Sequence, residues 1–289
     1  MVAIAGGVGA ARMLTGLVAV VDPASITAVV NTADDTVMHG LHVSPDLDTV
    51  TYTLAGVINP DTGWGLAAET WSAMEELRAY SDGRLGWFNL GDRDLGTHLY
   101  RTSRRLEGAS LSTVTAEIAR RWGVAVRLLP MSDDPVETRV TLAEGTAGHG
   151  SAEIGFQEYF VGRRHAVAVR AVRFEGVAGA SPAPGVLDAI AGADTVVICP
   201  SNPIVSIAPV LAVPGLGAAV ARRRADVVAV SPIVAGRALK GPADRLLAEL
   251  GHEPSVVGVA RVWAPHAGTL VIDRADEALA GDVEAAGMR

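Results

Sequence analysis

The sequence predicts an α/β protein built on a doubly wound, mostly parallel sheet, and three observations predict it. Short apolar, β-branched runs recur along the chain, and apolar residues at helical spacing fill intervals between them. Polar clusters follow most of these runs: Gly6-Gly7-Val8-Gly9, Asn31-Thr32-Ala33-Asp34-Asp35, Ser44-Pro45-Asp46-Leu47-Asp48-Thr49, Gly91-Asp92-Arg93-Asp94, Met131-Ser132-Asp133-Asp134-Pro135 and Pro200-Ser201-Asn202-Pro203. Nothing repeats at a fixed period. In parallel sheets ligands bind beyond the carboxyl ends of the strands, so polar residues placed there converge on one crevice.

Val2 to Ala5 reads as a buried first strand, the glycine turn follows, and Ala10 to Val20 carries apolar residues at helical spacing. Ile26 to Val30 is a β-branched second strand ending at Asn31. Ser44 or Asp46 caps a helix through Val57, and Leu66 to Ala79 reads as a helix with Trp71, Met74 and Leu77 on one face. Trp64, Trp71 and Trp87 read as core anchors rather than a ligand cage. Thr113 to Trp122 is a helix stopped by Gly123, and Val124 to Leu129 a strand leading into Met131. Glu137 to Leu142 and Ala166 to Phe174 alternate loosely, and the glycine-rich Gly145 to Gly155 between them reads as a small antiparallel excursion or a flap. In the final third, strands at Thr195 to Cys199, Asp226 to Val230, Val256 to Val259 and Leu270 to Ile272 accompany a helix around Ala208 to Arg223. Residues 1–43 and 181–289 are thus expected to form the nucleotide-binding core. Residues 44–180 are expected to be inserted over the crevice, helical in 44–123 and built of a strand and β-hairpin in 124–180.

A chain of 289 residues with 49% apolar content fills a substantial core, so a globular, enzyme-sized protein is expected. The net charge of −8 argues against binding duplex nucleic acid, which calls for a basic face. Cys199 is the sole cysteine, which excludes an intrachain disulfide and a cysteine-rich zinc cluster and fits a reducing, cytoplasmic setting. Its place in Thr195-Val-Val-Ile-Cys199 reads as an inert core thiol. The opening Met-Val-Ala-Ile-Ala-Gly-Gly lacks the basic region of a signal peptide. Asp194 to Arg222 has no charged residue between its ends, yet Pro200, Pro203, Pro209 and Pro214 with Ser201, Asn202 and Ser206 argue against a membrane span. The apolar surplus is consistent with a homodimer.

Glycines and amide-bearing turns suit phosphate oxygens, whereas clustered aspartates suit Mg2+ or a proton transfer. Gly7-Val8-Gly9-Ala10-Ala11-Arg12 places arginine where the dinucleotide fingerprint wants a third small residue, and Asn31 stands where that fingerprint wants an acid. No Gly-Lys-Ser/Thr follows, so it is not a Walker loop. What remains is close backbone approach and a helix N-terminus that favours an anion. Asp34 or Asp35 reaches a ribose or base edge, or simply caps a turn. Asp46 and Asp48, one residue apart, would raise each other's pKa unless a cation or arginine lay between them, so Mg2+ is expected. In Gly91-Asp92-Arg93-Asp94-Leu95-Gly96-Thr97-His98, Arg93 forks onto a phosphate or carboxylate, Asp92 or Asp94 binds metal and His98 holds an oxygen, or the cluster is a surface salt-bridge knot. Asp133 and the Ser201-Asn202 pair are site candidates or turn residues, with Ser201 and Asn202, just after a buried strand, placed for phosphate, and Lys240 puts a cation near a nucleotide or decorates a loop. The sequence lacks a Ser-His-Asp order, a Cys-His pair and His-x-x-x-His spacing, so acyl transfer and zinc hydrolysis are disfavoured. Phosphoryl transfer fits better, because it rests on positioning and charge neutralisation.

Taken together and in this order, Ile4-Ala-Gly-Gly-Val-Gly9, Val30-Asn-Thr-Ala-Asp-Asp35, Ser44-Pro-Asp-Leu-Asp-Thr49, Leu90-Gly-Asp-Arg-Asp94 through His98, Leu129-Pro-Met-Ser-Asp-Asp-Pro135 and Pro200-Ser-Asn-Pro203 resemble the 2-phospho-L-lactate transferase family, including its bacterial phosphoenolpyruvyl transferase branch in deazaflavin coenzyme (F-420) biosynthesis. The resemblance runs from residue 2 to about residue 275 and implies a Rossmann-like sheet with the insertion covering the crevice. It implies that the terminal ribityl hydroxyl of a deazaflavin acceptor, 7,8-didemethyl-8-hydroxy-5-deazariboflavin, attacks the acid-bearing phosphate of a guanosine diphosphate-linked donor and that GMP leaves. By position, Gly6, Gly7, Gly9, Asn31, Thr32, Asp34, Ser201 and Asn202 would hold the nucleotide. Asp46 and Asp48 would meet Mg2+ and the acceptor hydroxyl, and Arg93 would act as a catalytic contact. Asp92, Asp94, His98 and Asp133 would line the substrate. Chains of that family commonly extend past Gly287-Met288-Arg289, where this one stops, and an alanine-rich, lysine-poor composition suits its bacterial branch. The alternative is a non-catalytic nucleotide-sugar or dinucleotide-binding regulator of the gluconeogenesis-factor type. A nicotinamide oxidoreductase ranks below both for want of the ribose carboxylate.

Overall fold

Six parallel strands form the central sheet, in the spatial order Arg127–Pro130, Thr27–Val30, Val2–Ala5, Val196–Ile198, Val227–Val230, Thr269–Val271. The structure is a computed structural model that describes residues 1–82, 85–143 and 152–289. In chain order the first strand lies at the centre with the second and third to one side and the fourth, fifth and sixth to the other. That is the doubly wound order whose direction reverses between Val2–Ala5 and Val196–Ile198.

Apart from Thr27, Arg127 and Thr269, each the first residue of its strand, the strands are apolar because both faces are covered. Val2, Ile4, Val29 and Leu129 pack into one core with Val186, Ile190, Leu216 and Val220. Ala3, Ala5, Ala28, Val30 and Leu128 turn to the other face, against Ala10, Leu14, Val50 and Leu111. Small residues on this second face let helices Gly7–Leu17 and Pro45–Leu54 lie close to the sheet.

The chain between the second and fourth strands also carries elements outside the central sheet, of which helix Leu111–Arg121 packs on the second face through Leu111 and Ala119. This stretch holds a hairpin of Thr36–Met38 and Leu41–Val43, helices Ser72–Tyr80, Asp94–Leu106 and Leu111–Arg121, and a three-stranded antiparallel sheet ordered Glu153–Gly155, Glu137–Leu142, Val169–Glu175. Most of the glycine-rich stretch from Gly145 lies outside the described residues.

Several expectations change. The strand at Arg127–Pro130, assigned above to the inserted part, is an edge strand of the central sheet, paired with Thr27–Val30. Val256–Val259 is not a strand: helix Val256–Trp263 starts there, with the Ser255 hydroxyl accepting from the Gly258 amide at 3.1 Å and Val256, Val257, Val259, Ala260 and Trp263 all buried. The cap and burial outweigh β-branched propensity. Leu66 to Ala79 is helical only from Ser72, because Leu66 instead bridges Ile58. Trp64 is 55% exposed and Trp71 and Trp87 are 39% and 40% exposed, so these rings are not core anchors; Met74, Phe88 and Leu90 fill the local core.

The uncharged stretch after Asp194 forms strand Val196–Ile198, a π turn at Pro203–Ile207 and helices Ala208–Ala212 and Leu216–Arg222, with a 94° bend before the last of these. Pro214 and Gly215 (φ +89) break the single helix expected there. Among the described residues no single helix is long and apolar enough to cross a membrane.

Candidate active site

At the reversal of strand order the two central loops touch. The Ser201 hydroxyl donates to the Gly6 carbonyl at 2.5 Å. A Cβ at Gly9 would overlap the carbonyl oxygen of Pro200, and Gly7 takes a left-handed φ of +61, so this turn demands glycine for two separate reasons. Asn202 does not reach outward. Its Oδ1 accepts from the amides of Ile204 at 2.9 Å and Val205 at 3.4 Å, capping the next turn.

Asp46, in the first turn of helix Pro45–Leu54, leans over the glycine turn, with Oδ1 3.1 Å from where a Gly7 Cβ would stand. Its Oδ2 accepts from Asn31 Nδ2 at 3.0 Å, and the same amide donates to Asp34 Oδ1 at 2.9 Å. Burial pushes the Asp46 carboxyl up to about 6, against the opposing hydrogen bonds from Asn31 and the Gly7 amide. Burial, then the charges of Asp46 and Asp35, push Asp34 well above the usual carboxylate range. Asp35 is raised mainly by burial, and its Oδ2 accepts from the Ser44 hydroxyl at 2.7 Å while Oδ1 has no partner.

Asp48 lies two residues further along, 5% exposed. Arg101 Nη2 donates to its Oδ1, and its Oδ2 is buried without a hydrogen-bond partner. Arg101, 2% exposed, rises from helix Asp94–Leu106 on the same face as Asp94 and His98. The Tyr52 hydroxyl donates to Asp94 at 2.7 Å. Although burial pushes the Asp94 carboxyl up, its contacts with His98, Tyr52 and Arg101 hold it below the usual range.

The other expected residues divide. Thr32 is buried, its hydroxyl without a hydrogen-bond partner. Arg93 is exposed, and its Nη1 donates to the Ala67 carbonyl at 2.9 Å rather than entering the Asp46–Asp48 cluster. Asp92 caps helix Ser72–Tyr80 through the amides of Ser72 and Ala73, both at 3.0 Å. Asp133 caps helix Leu111–Arg121 through Ser112, at 2.6 Å from its amide and 2.8 Å from its hydroxyl. Lys240 donates to the Thr62 carbonyl, and its Nζ and Val8 both crowd Gly63, which brings a cation close to the glycine turn.

Sequence reading missed Arg101, Tyr52, Glu69 and Gln157. Glu69 accepts from the amides of Arg93 and Asp94, both at 2.9 Å, and fixes the start of the helix that carries His98 and Arg101. Gln157 Nε2 donates to the Asp34 carbonyl at 3.2 Å, tying the antiparallel sheet region to the second-strand loop.

Among the described residues no three His, Cys, Asp or Glu side chains are arranged to hold a metal ion by themselves. The free oxygens nevertheless fit Mg2+, which takes one or two carboxylates and completes its shell with water and substrate phosphate. Asp48 Oδ2 and Asp35 Oδ1 are buried acceptors without donors, and burial leaves Asp46 poorly disposed to carry its charge alone.

Over residues 1–284 the chain matches the family described as 2-phospho-L-lactate transferase CofD. It is similar to the phosphoenolpyruvate transferase of Kitasatospora aureofaciens, 50% identical over 291 residues, covering 100% of this chain and 89% of that protein. The phosphoenolpyruvate transferase of Streptomyces griseus subsp. griseus is 48% identical over 292 residues, covering 100% of this chain and 90% of that protein. That of Mycolicibacterium smegmatis is 44% identical over 277 residues, with 93% and 84% covered. Among solved structures, a Bacillus halodurans protein, BH3568, superposes with a TM-score of 0.60 at 17% identity, covering 99% of this chain and 90% of that one. A further structure from that organism, described as a member of the UPF0052 family, gives 0.54 at 21% identity, over 79% and 67%. At these identities the structural likeness concerns the fold.

Proposed function

Since this chain belongs to the 2-phospho-L-lactate transferase family, we propose that it transfers a phosphoenolpyruvyl group from a guanosine diphosphate-linked donor to the terminal ribityl hydroxyl of a deazaflavin acceptor, releasing GMP. The 2-phospholactyl group is the variant donor unit, and the names carried by the relatives favour phosphoenolpyruvyl.

The observation that carries this reading is the position of Asp46 and Asp48. One carboxylate stands over the glycine turn and the other keeps a buried oxygen free beside it in sequence, at the reversal point of the sheet. In the proposed reaction the turn from Gly6 to Gly9 and the N-terminus of helix Gly7–Leu17 receive the pyrophosphate. Asp48 Oδ2 faces the acceptor hydroxyl and takes its proton as the new oxygen–phosphorus bond forms. The bond to the GMP phosphate oxygen breaks, and that oxygen keeps the electron pair. Asp46 and the free Oδ1 of Asp35 would hold Mg2+, leaving Asp48 Oδ2 for the proton, and the bound ion would neutralise charge on the pyrophosphate. Asn31 holds Asp46 in place and separates it from Asp34, and burial of the cluster strengthens each of these contacts.

A thermal-shift series tests the nucleotide part. GDP with Mg2+ is expected to raise the melting temperature, because a ligand that binds only the folded chain stabilises it by about 2.7 kcal/mol at a hundredfold excess over Kd. A shift with a UDP-sugar or NAD and none with GDP would replace this reading by that of a nucleotide-sugar or dinucleotide-binding regulator.

A further inference from the structure

The two oxygens of Asp48 have different surroundings. Oδ1 is held by Arg101 Nη2, and Oδ2 has no hydrogen-bond partner, with His98 Nδ1 3.8 Å from it. That distance is too long for a hydrogen bond. The same His98 Nδ1 lies 3.2 Å from Arg101 Nη1. A guanidinium donates and never accepts, so Nδ1 is the acceptor and the ring proton sits on Nε2, which faces Asp94 Oδ2 at 3.3 Å without hydrogen-bond alignment. Asp94 is fixed in turn by Tyr52, whose hydroxyl also lies 2.8 Å from Thr97 Oγ1.

Arg101 Nη1 also donates to the His42 carbonyl at 3.3 Å. One buried guanidinium therefore connects three elements: the hairpin strand Leu41–Val43, the first turn of helix Pro45–Leu54 and helix Asp94–Leu106. Its fork has two ends: Nη1 is anchored on the His42 carbonyl and His98 while Nη2 holds Asp48 Oδ1, a fixed placement of the charge that a single ammonium does not provide. Replacing such a pair by apolar residues is often neutral for stability, so a pure packing role does not call for these two charges.

We propose that Arg101 is a positioning residue for Asp48: by holding Oδ1 and supplying the buried positive charge, it leaves Oδ2 as the single oxygen that Asp48 presents to the reacting groups. His98 accepts from Arg101 and does not compete for that oxygen. The use made of Oδ2 rests on the transferase function proposed above; the Arg101–Asp48 coupling does not.

The test is a double-mutant cycle on the full chain with Arg101→Gln, Arg101→Lys, Asp48→Asn and the Asp48→Asn/Arg101→Gln pair. It is read by turnover with the guanosine diphosphate-linked donor and the deazaflavin acceptor, and separately by thermal melting. Arg101→Gln is expected to lower kcat about 100-fold with both KM values within about threefold of wild type. Arg101→Lys should recover roughly tenfold of that loss, since it restores the charge without the fork. In the Asp48→Asn background Arg101→Gln should cost less than about threefold further. In melting, each single change that removes a charge should lower the midpoint by roughly 5–10 °C, and the pair by clearly less than the sum. A kcat within about threefold of wild type for Arg101→Gln, a loss confined to KM, or additive losses in the pair would overturn the proposal. If Arg101→Gln does not fold, Arg101→Lys decides: a kcat drop at unchanged KM supports the positioning role, and unchanged kcat removes it. If the wild-type chain shows no turnover, the transferase reading fails by itself. The melting cycle then decides the pairing, with additive shifts counting against it.

Discussion

Asn31 Nδ2 donates to Asp46 Oδ2 at 3.0 Å and to Asp34 Oδ1 at 2.9 Å, so one amide group holds two buried carboxylates apart at the mouth of the glycine turn. Both carboxyls are raised above their ordinary range, which marks the cluster as a place where negative charge is held at a cost and is offset by donors.

Replacing that donor by a third carboxylate should therefore be severe. Asn31→Asp is expected to lower stability by roughly 2–4 kcal/mol at neutral pH, since it removes two hydrogen bonds and adds a buried like charge. Chemical denaturation measures it, and the loss should shrink near pH 5 as protons return to the cluster. An unchanged denaturation midpoint at pH 7.5 would show that the amide does not hold the carboxylates.

The contact between the two central loops predicts opposite outcomes for two alanines in one helix. Gly9→Ala places a methyl against the Pro200 carbonyl and should cost roughly 1–3 kcal/mol and weaken the response to GDP. Gly16→Ala meets nothing within 4 Å and should stabilise by about 0.5–1 kcal/mol through helix propensity. Thermal melting of both, with and without GDP, checks the pair.

Asp92 and Asp133 occupy helix starts, and their loss should be felt in stability. Asp133→Ala is expected to cost about 1 kcal/mol of stability, as for other lost helix caps, and to leave kcat within about twofold. A much larger fall in kcat at unchanged stability would return Asp133 to the substrate side.

Much of this arrangement was legible in the chain. The doubly wound sheet, the glycine turn at the end of Val2–Ala5 and the polar ends of Thr27–Val30 and Val196–Ile198 follow from local patterns of apolar runs and turn residues. Arg101 was readable too, because it stands three residues after His98 and seven after Asp94 and so completes one helix face. The dense Gly91-Asp92-Arg93-Asp94 cluster makes Arg93 the more conspicuous cation in the sequence, yet its guanidinium turns to the Ala67 carbonyl. The capping roles of Asp92 and Asp133 were hidden, since the Ser72 and Ser112 amides they accept from lie 20 and 21 residues earlier in the chain. The exposure of Trp64, Trp71 and Trp87 is likewise set by tertiary packing that no local window contains.

The raised Asp46 carboxyl gives a pH dependence with a definite sign. An acid at about 6 in the folded chain and near 3.8 when unfolded releases its proton more readily on unfolding. Its contribution to stability is thus fully present below about pH 4 and is lost as pH rises through about 6. The rise from 3.8 to about 6 corresponds to roughly 3 kcal/mol at most. In chelator, wild-type stability relative to Asp46→Asn should fall across that window, and Mg2+ should reduce the fall. Parallel profiles would show that Asp46 titrates normally.

The most direct measurement is mass spectrometry of the products formed when the chain is incubated with Mg2+, a deazaflavin acceptor and each guanosine diphosphate-linked three-carbon acid. The expected result is one acceptor carrying the phosphoenolpyruvyl phosphodiester for each GMP released, formed roughly 10²–10⁴-fold more slowly by Asp48→Asn that still melts as a folded protein. Absence of any acceptor adduct from the wild-type chain, or full turnover by Asp48→Asn, would contradict it.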